Sequence, residues 1–213
     1  MKIALINENS QAAKNELIYT TLSKVANDHD KIVVNYGQYG EDDDHKLTYV
    51  QAGLLTAILL NSGAADFVVT GCGTGEGAML AANAFPGVLC GHITNSSDAY
   101  LFMQINDGNA ASIPFAKGFG WGGELDLEYT FDKLLSTEGG GGYPKERVVP
   151  EQQNKKILDE LKKVTHQDML TILKTMDQDF LKETIDYPFF RVNFFADCKD
   201  QKIAEYLRSV LSL

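Results

Sequence analysis

The run from Phe67 to Asn83 constrains this chain more than any other. Apolar Phe67-Val68-Val69 gives way to Thr70-Gly71-Cys72-Gly73-Thr74-Gly75-Glu76-Gly77, in which every second residue from Gly71 to Gly77 is glycine. Ala78-Met79-Leu80-Ala81-Ala82-Asn83 follows at once. That order reads as buried strand, tight turn and helix. Glycines let the backbone take positive φ and let a ligand come close. The start of a helix presents unpaired N–H groups and a partial positive charge, so such a turn is a natural anion site. Here it also carries a thiol (Cys72), a hydroxyl (Thr74) and a carboxylate (Glu76).

Three uses of this turn compete. It could be a plain glycine-rich connection. It could bind a nucleotide, but no Lys-Ser/Thr pair follows Gly77, and Gly73-Thr74-Gly75-Glu76-Gly77 lacks the spacing of the dinucleotide fingerprint. Or it could be an active site that stabilises a negative oxygen while Cys72 or Glu76 moves a proton.

Alternation of strands and helices extends on both sides of the turn. Strands are expected at Ile3–Ile6, Ile32–Val34, Phe67–Thr70, Val88–Cys90 and Ala110–Ile113. Helices are expected at Asn9–Ala26, Leu47–Leu60, Ala78–Ala84, Asp98–Ile105 and Leu125–Leu135. Leu47–Leu60 is apolar on more than one face and should be largely buried. Right-handed βαβ crossovers then predict an α/β, Rossmann-like three-layer sandwich with a mainly parallel five-stranded sheet. Ligands of such sheets bind beyond the carboxyl ends of the strands, where strand order reverses, and the Cys72 turn is at such an end.

Gly139-Gly140-Gly141-Gly142 marks a joint, or a loop that approaches something closely. It divides the expected Rossmann-like domain, residues 1–148, from a mostly helical extension, residues 149–213. Helices are expected in the extension at Gln152–Lys163, Gln167–Lys174 and Ile203–Leu211, and Phe189–Phe195 reads as a strand or an aromatic packing segment. The extension has too little core to stand alone and should pack on the first domain or on a neighbouring subunit.

Bulk properties narrow the partners. A net charge of −10 with no concentrated basic face argues against nucleic acid. No apolar run approaches the roughly 20 residues of a membrane span. Met1–Ile6 reads as a short strand without a signal-peptide cleavage pattern. Cys72, Cys90 and Cys198 are far apart, which argues against a disulfide framework or a zinc site and fits a cytoplasmic protein. The acidic run Glu41–Asp44 is expected to be a solvated turn rather than a metal site.

Cys72-Gly73-Thr74-Gly75-Glu76-Gly77, followed by Ala81-Ala82-Asn83 and Pro86-Gly87-Val88, resembles the signature of the type B ribose-5-phosphate isomerases, a superfamily that includes the subunits of galactose-6-phosphate isomerase. The resemblance covers about residues 1–148. It implies an aldose–ketose isomerase acting on a sugar phosphate through a cis-enediolate, without metal or organic cofactor. It further implies a homodimer or homotetramer with sites at the subunit interface. Carried onto this chain, Cys72 or Glu76 is the base, and Thr74, Gly73, Gly75 and Gly77 form the anion cradle. Tyr49 and Asn106 orient the sugar, with Glu8, Asn9, Lys117 and Arg147 as further binding residues. A non-catalytic sugar-binding or partner subunit is the alternative, and a nucleotide-binding regulator a third possibility.

The chain departs from that pattern in four places. Glu8-Asn9 stands where the family has Asp-His. Ile105 replaces the histidine that opens the sugar ring. Lys117 is the nearest cation to an expected arginine. Tyr143 lies near a second arginine position, while Arg147 keeps the other. Phosphate favours guanidinium forks or several N–H donors, and only Lys117, Lys145 and Arg147 are on offer. The losses point to a changed substrate, a longer or differently substituted sugar or sugar phosphate. His92 is either a replacement acid–base histidine or a bystander, and Trp121 either stacks on a sugar or fills a core or interface.

Overall fold

The computed structural model describes residues 1–213. Five strands, β1 (Lys2–Asn7), β2 (Ile32–Asn35), β3 (Phe67–Cys72), β4 (Cys90–His92) and β5 (Ala110–Pro114), form one parallel sheet in the order β2-β1-β3-β5-β4. Helices α1 (Asn15–Asp28), α2 (Tyr49–Asn61), α3 (Glu76–Asn83), α4 (Ser96–Leu101) and α5 (Gly123–Leu135) connect and cover it. This is the Rossmann-like α/β sandwich that the alternation predicts.

Side chains of successive strand residues point to opposite faces. Ile3 and Leu5 face one layer, with Val69, Ala111 and Ile113, where Ile18 and Leu22 of α1 and Phe131 and Leu134 of α5 close the core. Ala4, Ile6 and Val68 face the other, under Leu54, Leu55 and Ile58 of α2. Every residue of α2 from Gln51 to Leu59 is buried, so the helix needs a second cover. Helices α6 (Val148–Thr165), α7 (Met169–Thr175), α8 (Gln178–Ile185), α9 (Pro188–Asp197) and α10 (Gln201–Val210) follow it in the chain. Leu173, Leu181, Phe190, Phe194 and Leu207, from the last four of these, join the same apolar core as α2. Lys162 of α6 also donates to the carbonyls of Asn83, Phe85 and Val88, where α3 runs out of its own donors.

Local reading failed in several places. Of the two readings of Phe189–Phe195, the aromatic packing segment holds and the strand does not: Pro188 starts a helix at a position where its missing N–H costs nothing. Phe190 and Phe194, four residues apart, stack at 4.7 Å between ring centres on the buried face. Tertiary burial overrides the β preference of the aromatics. Helix α8 was not anticipated. Strand β4 starts at Cys90 rather than Val88, because the Leu89 N–H is taken by the Asn109 side chain. Asn83 then brackets Cys90 with two side-chain bonds. The helix expected from Asn9 begins as a 3-10 segment, Asn9–Lys14, kinked at Gln11, and only then becomes α1. The helix expected over Asp98–Ile105 is α4 followed by a wide turn, Phe102–Asn106. In the four-glycine segment, a Cβ on Gly139 would overlap the Asp107 carboxylate, so glycine there allows close approach.

Candidate active site

Strand order reverses between β1 and β3: the chain moves from β1 to β2 on one side, and β3 is flanked by β5 on the other. The crevice beyond those carboxyl ends is where this fold binds ligands. Asn7 ends β1 opposite Gly71, and Cys72 ends β3 opposite Pro114. Two loops therefore meet at one edge, the Cys72 turn and the segment after Asn7.

The Cys72 turn is held by its carbonyls. Cys72 O accepts from the Phe115 N–H at 3.0 Å and Gly73 O from the Ala116 N–H at 2.9 Å. Thr74 O lies 2.9 Å from His92 Nε2. Gly75 O accepts from Ser112 Oγ at 2.6 Å and from the Met79 N–H at 3.1 Å. A carbonyl can only accept, so His92 carries its proton on Nε2. By contrast, the N–H groups of Gly73, Thr74 and Gly75 donate to nothing within the chain. Gly75 precedes α3 at φ +78°, a left-handed conformation that glycine adopts without penalty. Three successive free amides at a helix start form a concave donor set for an anion.

Reactive side chains border that set. Cys72 is 8% exposed, between the strand and the first free amide. Glu76 is exposed in the first turn of α3, and its own N–H is 3.4 Å from Thr74 Oγ1. Burial pushes the Cys90 thiol up to about 12 and also raises Cys198, so neither is a ready thiolate. Tyr49 opens α2 after a Thr48–Gln51 capping box, and its ring passes 3.2 Å from where a Cβ on Gly77 would stand. Cys72, Thr74, Glu76, the three glycines and Tyr49 are thus gathered at one edge.

The segment after Asn7 contributes side chains instead. Glu8 is buried and accepts from both the N–H and the hydroxyl of Ser10, so its carboxylate caps the 3-10 segment. The Asn9 N–H binds Leu47 O at 2.8 Å. Ser10 Oγ and Gln11 Nε2 lie 3.8 and 3.9 Å from the Cβ position of Gly73. Lys14 Nζ donates to Gln11 Oε1 at 2.8 Å and to Phe115 O at 2.6 Å, and sits 4.5 Å from the centre of the Phe119 ring. An ammonium has three N–H donors, so one remains. Sequence reading missed Ser10, Gln11 and Lys14, because a regular helix from Asn9 gives no reason for Lys14 to turn back on β5.

Lys117 is exposed just past β5 and lines a cavity of about 170 Å³ with Ile93, Ile113, Pro114 and Phe119. Trp121 is fully exposed, which removes the core role considered for it. Asn106, Lys145 and Arg147 are elsewhere. Asn106 precedes β5, and its side of the molecule is separated from Pro114 and Cys72 by the length of that strand, about 13 Å at ~3.3 Å per residue. The glycine segment is pinned to that far side by Gly140 N–H to Met103 O and Gly142 N–H to Gln104 O, and Lys145–Arg147 follows it. One chain does not bring these residues to the turn.

A free-amide cradle at the switch point, flanked by a thiol and a carboxylate, suits an α/β enzyme that stabilises an oxyanion while moving a proton. The chain belongs to the ribose/galactose isomerase family, whose model matches residues 3–160, and a second model, described as ribose-5-phosphate isomerase, matches residues 164–210. No curated protein sequence matches the chain. Among solved structures, a 4-deoxy-L-threo-5-hexosulose-uronate ketol-isomerase complexed with a tartrate is 63% identical, with a TM-score of 0.98 over 100% of both chains. A ribose-5-phosphate isomerase from Vibrio parahaemolyticus is 49% identical, with a TM-score of 0.96 over 99% of each chain. The type B ribose 5-phosphate isomerase of Trypanosoma cruzi, 18% identical with a TM-score of 0.64, shares the fold and covers 78% of this chain and 100% of its own. This chain is a sugar isomerase of the aldose–ketose type, the class implied by the Cys72–Gly77 motif. No helix is long and apolar enough to cross a membrane.

Proposed function

We propose that this isomerase acts on an acidic sugar of the hexuronate type, bound through a carboxylate, in preference to a sugar phosphate. The observation that carries the catalytic half is the set of three free amides at Gly73, Thr74 and Gly75 beside Cys72. Deprotonation next to a carbonyl turns its oxygen into an enediolate oxygen, and charge-assisted N–H donors bind that anion about twice as strongly as a neutral acceptor. Cys72 is the base that removes the proton and returns it to the neighbouring carbon. Cys72 is the last residue of β3, directly before the free amides, and is 8% exposed, whereas the Glu76 carboxylate is exposed in the first helical turn. Tyr49 covers one side of the sugar.

The acidic half of the proposal rests on which cations are present. The chain has three arginines: Arg147 pairs with Glu151, Arg191 with Asp186, and Arg208 lies over the Phe195 ring. None is at the turn, where a phosphate would want a guanidinium fork. Lys14, with a spare donor beside Gln11 and Ser10, suits a singly charged carboxylate. The ketol-isomerase that is 63% identical is named for a uronate and was captured with tartrate, which carries carboxylates beside hydroxyls, as an acidic sugar does. The 49% identical ribose-5-phosphate isomerase favours the rival substrate class, a pentose phosphate.

The separation of Asn106 from Cys72 supports a homo-oligomer in which a second copy supplies it across the interface, while Arg147 stays paired with Glu151. The fit of a metabolic sugar isomerase with the cytoplasm belongs to the same reading.

The test is solvent-deuterium incorporation at C2 together with kcat/KM over a panel of hexuronates, deoxy-hexulosuronates and pentose and hexose phosphates. The expected result is incorporation with turnover at least tenfold more efficient on a uronate than on ribose 5-phosphate, and none of either in Cys72→Ala/Glu76→Gln. Better turnover of phosphates would overturn the substrate, and undiminished exchange in the double variant would overturn the site.

A further inference from the structure

We propose that His92 and Ser112 are positioning residues that aim the oxyanion donors of the Cys72 turn, and that they act through two consecutive peptide planes. The inference rests on the reading of that turn as the oxyanion site. A trans peptide is planar, so its C=O and N–H point in opposite directions. Fixing the carbonyl of Thr74 therefore fixes the N–H of Gly75, and fixing the carbonyl of Gly75 sets the next peptide plane, whose Glu76 N–H faces Thr74 Oγ1, so that Gly75 is held from both sides. His92 Nε2 holds the first at 2.9 Å, and Ser112 Oγ holds the second at 2.6 Å.

The Thr74 carbonyl has no other partner, whereas that of Gly75 also accepts from the Met79 N–H at the start of α3. The carbonyls of Cys72 and Gly73 are anchored by backbone N–H groups of Phe115 and Ala116, continuing the sheet pattern past its last register pair. Beyond Gly73 the turn leaves the sheet, and Gly75, at φ +78°, has no side chain to restrain it. A glycine peptide there can rotate at little cost. His92 ends β4 and Ser112 lies in the middle of β5, at register-paired positions of the two strands. Ser112 is fully buried, so its hydroxyl needs the partner it finds in Gly75 O. The His92 ring closes over the turn: a Cβ on residue 75 would come within 2.9 Å of its Nε2 and Cδ2. With Nε2–H committed to Thr74 O, His92 positions donors rather than transferring the substrate's proton through that nitrogen.

A misaimed donor loses stabilisation of the enediolate but little binding of the starting sugar, because the charge appears only as the proton leaves. His92→Leu removes the clamp, His92→Gln offers an amide N–H in its place, and Ser112→Ala removes the second clamp while Met79 N–H still holds Gly75 O. The measurements are kcat and KM on the best substrate of the panel, inhibition by a hydroxamate mimic of the enediolate, and inhibition by tartrate. For His92→Leu a fall in kcat of roughly 10- to 100-fold is expected, the scale of a small misplacement in an active site, with KM and tartrate inhibition within about threefold and hydroxamate inhibition weakened in step with kcat. His92→Gln should recover most of the loss, and Ser112→Ala should show the same split, smaller. Wild-type kcat in both His92→Leu and Ser112→Ala overturns the proposal, as does an equal loss of tartrate and hydroxamate binding. If His92→Leu does not fold, the Ser112→Ala and His92→Gln results decide. Cys72→Ala/Glu76→Gln separates the two levels: full activity there removes the site itself, whereas an inactive double variant beside fully active clamp variants removes only the clamp.

Discussion

The two loops that meet at the switch point solve the same problem with opposite materials. The loop after β3 works with backbone: its carbonyls are all engaged and three amides are left free. The loop after β1 works with side chains: Glu8, Ser10, Gln11 and Lys14 bond to one another and to the end of β5. A backbone cradle reads charge without regard to what carries it, so it serves any substrate that passes through an enediolate. A side-chain cluster reads the rest of the molecule, and it can change without touching the chemistry. In this chain the motif of the first loop is kept, and the second departs from the family pattern at Glu8-Asn9.

The largest test of that division is Gly75→Ala. An added Cβ forces a left-handed backbone on an L residue and drives it into the His92 ring. Gly75 N–H then leaves its aim. Losing one oxyanion donor costs about 10²–10³ in kcat in comparable sites, so kcat is expected to fall by roughly that factor on every substrate alike. A loss confined to acidic sugars would mean that the turn also selects substrate, and the division between the loops would fail.

Lys14→Met is the complementary change, with a smaller expected effect. It keeps the aliphatic stem and removes the charge. A hydrogen bond to a charged group contributes about 1.5–3 kcal/mol, so KM for a uronate should rise roughly 10- to 100-fold while kcat on the same sugar stays within about threefold. Turnover of a neutral aldose should not change. An equal drop in kcat for both substrates would place Lys14 in the chemistry, or in the fold of β5, rather than in recognition.

The contrast between backbone and side chains also explains what was legible beforehand. Glycine at Gly71, Gly73, Gly75 and Gly77 recurs at every second position after an apolar strand, so the strand, the turn and the helix that follows could be read directly from residue order. The parallel sheet was legible for the same reason: strand and helix periods differ, and five alternations leave few topologies. The all-round burial of α2 was visible in its composition, because an apolar surface must be covered on every side. The cover itself was harder to read. Phe190 and Phe194 look like strand residues until the buried face of α2 sets their spacing to helical, and nothing local to Phe189–Phe195 carries that information. Lys14 was hidden by the kink at Gln11, which no helix-breaking residue announces. His92 was legible only in part, and Ser112 not at all. His92 stood out as a lone histidine after a strand, but the carbonyl it faces is 18 positions away in the chain. Side chains that recognise one another across a fold leave no periodic trace.

Ser10→Ala is the smallest change that distinguishes the two loops, and it bears on whether Glu8 is structural. Glu8 keeps the Ser10 N–H at 3.0 Å in this variant but loses the hydroxyl, and a buried carboxylate with one fewer donor destabilises the fold. A cost of about 1 kcal/mol in denaturant unfolding is expected, within the range of helix-cap substitutions. Activity should fall less than about threefold on acidic and neutral substrates alike, because Gln11 and Lys14 still present their donors. If instead stability is unchanged and KM for the uronate rises tenfold, the Ser10 hydroxyl touches the sugar, and Glu8 orients it for that contact. The side-chain loop would then begin six residues before its cation, with the carboxylate that resembles a cap serving as the first element of recognition.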